Sequence, residues 1–134
     1  MRSYMRKLFF SLLLLLTLSG CAAQQADANG YRCITMQEAA EWMTRESGYI
    51  ILDVRTQEEF AAGHIPNAIC IPNETIGSET LSALPDKAQL ILVYCRSGNR
   101  SKQAASKLVK IGYTNVVEFG GILDWQGEIV TEAS

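Results

Sequence analysis

The 134 residues suffice for one domain, and 12 Lys+Arg against 14 Asp+Glu give a net charge of −2, which supplies no basic face for gripping nucleic acid. Four cysteines accompany a single histidine, His64, so no Cys/His zinc spacing exists and no metal or other cofactor is expected.

The chain opens on Met1–Lys7 with Arg2, Arg6 and Lys7, followed by Leu8–Leu18, apolar except for Ser11 and Thr17, and then Leu18-Ser19-Gly20-Cys21. A charged start, a short apolar run and small residues describe a secretory signal peptide over residues 1–20. The apolar run is about half the ~20 residues that a membrane span needs. Leu18-Ser19-Gly20-Cys21 resembles the lipobox of bacterial lipoproteins. That resemblance implies cleavage before Cys21, acylation of Cys21 (palmitate among the chains) and an extracytoplasmic, membrane-anchored protein on the periplasmic side. Ala22 does not match the usual inner-membrane retention residue, which is compatible with an outer-membrane anchor where the cell has one and leaves the choice of membrane open. Two or three chains on Cys21 suffice for anchoring, whereas one binds only marginally. Loss of residues 1–20 removes three positive charges and no negative ones, leaving 114 residues with 9 Lys+Arg against 14 Asp+Glu, a net charge of −5. An anionic substrate then needs a local positive site. Cys33, Cys70 and Cys95 remain, an odd number that leaves at least one free thiol in a monomer.

Residues 21–30, the lipidated cysteine and an Ala/Gln/Asp/Asn/Gly stretch without apolar pattern, read as a flexible tether, and the domain as residues 31–130. Thr35-Met36-Gln37-Glu38 is a capping box that opens a helix with Ala39, Trp42 and Met43 on one face. Tyr49–Val54 is a continuous apolar run, a strand buried on both faces. Thr56-Gln57-Glu58-Glu59 is a second capping box, leading to Phe60 and Ala61 and stopped at Gly63. Ala68–Ile71 reads as a short strand between Pro66 and Pro72, and Glu79–Leu84 as a short helix ended by Pro85. Gln89–Tyr94 is the second buried strand. Ser101–Ile111 is a helix with Ala104, Ala105, Leu108 and Ile111 on one face and Gly112 as its stop. Asn115–Phe119 is a strand, and Gly120-Gly121 turns it into a last short helix carrying Leu123 and Trp125. Strands alternating with helices imply an α/β domain in three layers, a mainly parallel sheet flanked by helices. In such folds the site lies beyond the carboxyl ends of the strands.

Cys95-Arg96-Ser97-Gly98-Asn99-Arg100 joins the second buried strand to a helix. A short strand-to-helix turn points backbone N–H groups at one spot, and the helix N-terminus adds partial positive charge. Gly98 permits a positive φ, and Arg96 and Arg100 add two cations. Each favours thiolate over thiol at Cys95, so the loop predicts a reactive cysteine rather than an inert buried one.

Tyr94-Cys95-Arg96-Ser97-Gly98-Asn99-Arg100-Ser101 resembles the active-site loop of rhodanese-like sulfurtransferases. Leu52-Asp53-Val54-Arg55 with Glu58, Glu59 and Phe60, then Gly63-His64-Ile65-Pro66-Asn67-Ala68, is similar to the family's first conserved block, and Phe119-Gly120-Gly121 with Trp125 to its last. Asn67 stands where glycine is common, a departure that concerns only a turn. The resemblance implies that Cys95 attacks a small anionic donor such as thiosulfate, keeps the outer sulfur as a persulfide and passes it to cyanide or a thiol, a thioredoxin-like protein among the acceptors. Backbone N–H groups of Arg96 to Ser101 are then expected to hold the terminal sulfur, with Arg96, Ser97, Gly98, Asn99, Arg100 and Ser101 as the substrate-binding set. Related domains that act on phosphate or arsenate have one more residue between Cys and Arg. The four residues between Cys95 and Arg100 suit a single sulfur atom better. The alternative of a different class is a carrier or protein-binding module that holds sulfur without turnover. A thiol–disulfide oxidoreductase is disfavoured, because the chain has no Cys-x-x-Cys.

Asp53 and Arg55 are expected to support the site, Asp53 by bracing the loop through Arg100 or, more simply, both as members of a local ion pair or helix cap such as Arg55 with Glu59. His64 resembles a family residue that orders the loop before the next strand, with proton transfer as the less favoured reading, and Trp125 is expected to belong to the core. The family's strand order puts Cys33 and Cys70 toward opposite edges of the sheet, too far apart for a bridge, so both read as packing residues, with Cys70 as resolving thiol the less favoured reading.

Overall fold

The computed structural model describes residues 26–133; the signal peptide expected over residues 1–20 and Cys21, the expected lipidation site, lie outside them. Five parallel strands form one sheet: β1 (Arg32–Cys33), β2 (Tyr49–Asp53), β3 (Ile69–Cys70), β4 (Leu90–Cys95) and β5 (Val116–Gly121), in the order β1-β5-β4-β2-β3. Three helices cross between them: α1 (Met36–Arg45), α2 (Gln57–Ala62) and α3 (Asn99–Ile111). Both capping boxes form, Thr35 with Glu38 and Thr56 with Glu59, and each satisfies two backbone donors that a helix start otherwise leaves unpaired. Gly112 closes α3 in the left-handed region, with φ 114°.

The three interior strands, β5, β4 and β2, are largely apolar on both sides because both sides are covered. Leu52, Val93 and Val116 pack with Ala104, Ala105 and Leu108 of α3. Ile51, Leu92, Tyr94, Val117 and Phe119 form the core on the opposite face, with Ala39 of α1 and Ile65. Expected and observed architecture therefore agree.

Several expected elements differ. Glu79–Leu84 holds only a turn closed by the Leu84 N–H on the Leu81 carbonyl, too short a stretch before Pro85 to propagate a helix. β5 continues through Gly120 and Gly121 instead of ending at Phe119, and Ile122–Asp124 is a single 3-10 turn that leaves Leu123 exposed. Trp125 is half-buried at the edge of the α1-side core. The end of the expected tether is ordered: the Asp27 carbonyl accepts the Gly30 N–H, and Gly30, at φ 82°, sits so close to Val109 that a Cβ there would meet its Cγ1 at 2.8 Å. Asn67 adopts φ 67°, the left-handed conformation that Asn tolerates better than most side chains.

Asp53 and Arg55 form a buried ion pair. The Arg55 Nη2 lies 2.7 Å from Asp53 Oδ2, Nε donates to both carboxylate oxygens, and the Arg55 N–H donates to Oδ1. A second bond from Nη2 to the Gly63 carbonyl ties the end of α2 to this pair. Asp53→Ala is expected to cost about 3–5 kcal/mol, measured by urea unfolding, because it leaves the Arg55 charge buried without its partner.

Candidate active site

Cys95 is the last residue of β4, and Gly98 caps α3 in the left-handed region at φ 106°. The helix therefore begins at Asn99, two residues earlier than expected, and the connecting turn is only Arg96-Ser97-Gly98. This tight turn folds the chain back over the cysteine: the Gly98 N–H donates to Cys95 Sγ at 3.0 Å. The Ser101 Oγ, in the first turn of α3, lies 3.4 Å from the same sulfur. Sulfur, glycine and serine are all buried, while Arg96, Ser97 and Asn99 face solvent.

The floor of this turn is β5. Register between β4 and β5 slips after Val93↔Glu118, so that Cys95 pairs with Gly121. Gly120, at φ 97°, takes up the extra residue. The backbone of Arg96 and Ser97 then rests directly on Gly121, and the Leu123 N–H donates to the Arg96 carbonyl.

One buried residue of this floor is absent from the sequence reading. Glu118 is 3% exposed; its Oε1 accepts the Ser101 hydroxyl at 2.6 Å and the Gly120 N–H at 2.9 Å. Its only signal in the sequence is a charge within the otherwise apolar strand Val116-Val117-Glu118-Phe119.

Residues 35–128 match the family described as Rhodanese-like domain. The chain belongs to the rhodanese-like family. Thiosulfate sulfurtransferase PspE of Escherichia coli strain K12 is 38% identical over 73 residues, covering 54% of this chain and 70% of that protein. A sulfurtransferase of Allochromatium vinosum is 40% identical over 77 residues, 57% of this chain and 70% of that protein. Among solved structures, a rhodanese-like domain protein from Staphylococcus aureus superposes with a TM-score of 0.67 at 32% identity, covering 76% of this chain and 99% of the other.

Within this rhodanese-like domain the expected site residues divide. Cys95, Gly98 and Ser101 converge on one point, and Arg96 stands exposed at the loop surface. Asp53 does not brace the loop through Arg100, and Arg55 does not pair with Glu59. Asp53 is taken by Arg55, and Arg100 is held by Glu59 through two bonds of 2.7 and 2.9 Å. The Arg100 guanidinium is thus engaged by Glu59 and does not point freely at an anionic donor. The pair ties α3 to α2 instead. Hydrogen bonding from Arg100 brings the Glu59 carboxyl down to about 2. A depressed carboxylate stabilises the fold above its unfolded value and loses that contribution as pH falls. Arg100→Ala is therefore expected to lower stability by about 1 kcal/mol at neutral pH, with the difference from wild type shrinking between about pH 4.5 and about 2 in urea titrations.

His64 stacks on Phe60 with ring centroids 3.7 Å apart, and its Nδ1 lies 2.8 Å from the Phe60 carbonyl. Its backbone pairs with Val130, in keeping with an ordering role. Cys33 and Cys70 are free thiols on β1 and β3, the opposite edges of the sheet. Cys33 is exposed and so is not the packing residue expected. Burial pushes the Cys70 thiol up to about 11, and its Sγ donates to the Arg55 carbonyl, both of which keep it protonated.

Proposed function

We propose that this chain is a sulfurtransferase that carries sulfane sulfur on Cys95. The observation that carries the reading is the Gly98 N–H aimed at Cys95 Sγ at 3.0 Å within a buried turn at the start of α3. The Cys95 thiolate attacks the outer sulfur of thiosulfate, the S–S bond breaks, and sulfite leaves with the bonding electron pair. Cys95 then bears a persulfide whose terminal sulfur carries the negative charge. Cyanide or a thiolate attacks that sulfur and Cys95 departs as thiolate, which completes a ping-pong cycle. Exposed Arg96 takes part in neither ion pair of the described residues and faces an incoming dianion. Two relatives bear sulfurtransferase names, which supports the same chemistry. The test is to give the full chain thiosulfate and cyanide and count thiocyanate. Many products per chain are expected, and fewer than one over a long incubation overturns the reading.

We further propose that the protein works outside the cytoplasm, held to a membrane by lipid on Cys21. Arg2, Arg6 and Lys7, the apolar run Leu8–Leu18 and Leu18-Ser19-Gly20-Cys21 support this. Radiolabelled palmitate is expected to enter the wild-type chain in a bacterial host and not Cys21→Ser. Equal labelling of both overturns it.

A further inference from the structure

Ser101 Oγ has four polar neighbours: Glu118 Oε1 at 2.6 Å, the Gly98 carbonyl at 2.9 Å, Cys95 Sγ at 3.4 Å and the Gly120 carbonyl at 3.5 Å. A hydroxyl has one hydrogen and two lone pairs, so it can donate to only one of them. The carboxylate is the strongest acceptor of the four, and its contact has the short length of a charge-assisted O–H···O bond. The hydrogen therefore points at Glu118, and a lone pair is left for the sulfur. Glu118 itself is buried and belongs to neither ion pair of the described residues. Burying a carboxylate costs several kcal/mol unless hydrogen bonds offset it, and here the Ser101 hydroxyl and the Gly120 N–H do so, which ties the buried charge to the residue that touches the sulfur.

We infer that Glu118 is a positioning residue for Cys95: it fixes Ser101 as a proton acceptor toward the thiol and receives the proton that Ser101 passes on. The inference rests on Cys95 as the sulfur carrier. When the thiolate forms, the Cys95 S–H bond breaks and its electron pair stays on sulfur. The proton bonds to Ser101 Oγ, and the Ser101 hydrogen moves to Glu118 Oε1. Ser101 then donates to the thiolate beside the Gly98 N–H. The buried cluster carries one negative charge before and after, so two anions never face each other across Ser101. When the acceptor removes the sulfur, the proton returns by the same route. Other titratable groups around the cluster are Tyr31 before β1, Cys33 opposite Glu118 on β1, and Lys102 and Arg100 on α3, the last acting on Cys95.

The test is the rate at which iodoacetamide alkylates Cys95 in the full chain, resolved by peptide mass spectrometry between about pH 6 and 9. Glu118→Gln keeps an oxygen for Ser101 and Gly120 but removes the proton acceptor. The expected result is alkylation about tenfold slower at neutral pH, with the profile moved about one unit higher, and partial recovery in Glu118→Asp. A carboxylate acting only as a nearby negative charge gives the opposite sign: its removal speeds alkylation and moves the profile lower. That result, or an unchanged profile, overturns the inference. Cys70 alkylation in the same digest reports folding. Should Glu118→Gln unfold, Ser101→Ala is expected to move the profile upward as well, and a downward or absent shift there is equally fatal. Alkylation needs no sulfur transfer, so an upward shift in a chain that forms no thiocyanate sinks the transferase reading alone.

Discussion

Cys95→Ser is expected to reduce thiocyanate formation at least about 1,000-fold, because a serine hydroxyl at neutral pH is too weak a nucleophile to attack sulfur without a strong adjacent base. The substitution changes one atom, and the Gly98 N–H and Ser101 can bond an oxygen where they now meet Sγ. Stability is therefore expected to move by no more than about 1–2 kcal/mol, a few degrees in Tm. That separation matters, since a loss of activity with a large fall in Tm would speak of folding alone. Mass spectrometry supplies the positive half of the test. After thiosulfate treatment the wild-type peptide containing Cys95 gains one sulfur, cyanide removes it, and the serine variant gains none. Sulfur appearing on Cys33 or Cys70 in place of Cys95 would overturn the assignment of the carrier.

Much of this arrangement is legible in the chain because its signals are local. Thr35 with Glu38 and Thr56 with Glu59 mark two helix starts within four residues each, and both boxes form. The apolar runs of β2 and β4 announce strands covered on both faces, and the cysteine turn declares itself by Gly98 and two arginines. What was missed depends on partners far apart in sequence. Arg100 reaches Glu59 across 41 positions, and nothing near Arg100 says that its charge is spoken for. Glu118 meets Ser101 across 17 positions, and only the β4–β5 pairing brings them together. The end of β5 was misplaced because Gly120-Gly121 reads as a chain break, whereas here the pair is a bulge within the strand. Glu79–Leu84 had a favourable ending at Pro85 but no second turn to make a helix cooperative.

Gly121→Ala is the substitution that tests how the cysteine turn is held. A Cβ at this position would lie 2.1 Å from the Arg96 carbonyl oxygen, 2.4 Å from its carbon and 2.5 Å from Ser97 Cα. All three are backbone atoms, so no rotamer change relieves the clash. Either β5 or the turn must move by roughly an ångström. β5 is anchored upstream of Gly121 by pairing to β1 at Val117 and Glu118 and to β4 from Val116 to Glu118, so the exposed turn is the element expected to yield. The Gly98 N–H then leaves Cys95 Sγ, and a misplacement of that size at a reacting group costs about 100-fold in kcat/KM. Overpacking is expected to cost a further 1–3 kcal/mol, roughly, in stability. Gly48→Ala is the control for backbone strain without a clash: φ is 68° there, unlike the extended −128° of Gly121, and nothing lies within 4 Å of the new Cβ. It should show about 1–2 kcal/mol of backbone strain and wild-type turnover. Wild-type turnover in Gly121→Ala as well would mean that contact with β5 does not set the geometry of the turn, and the account of Cys95 as a nucleophile pre-positioned by its floor would have to be given up.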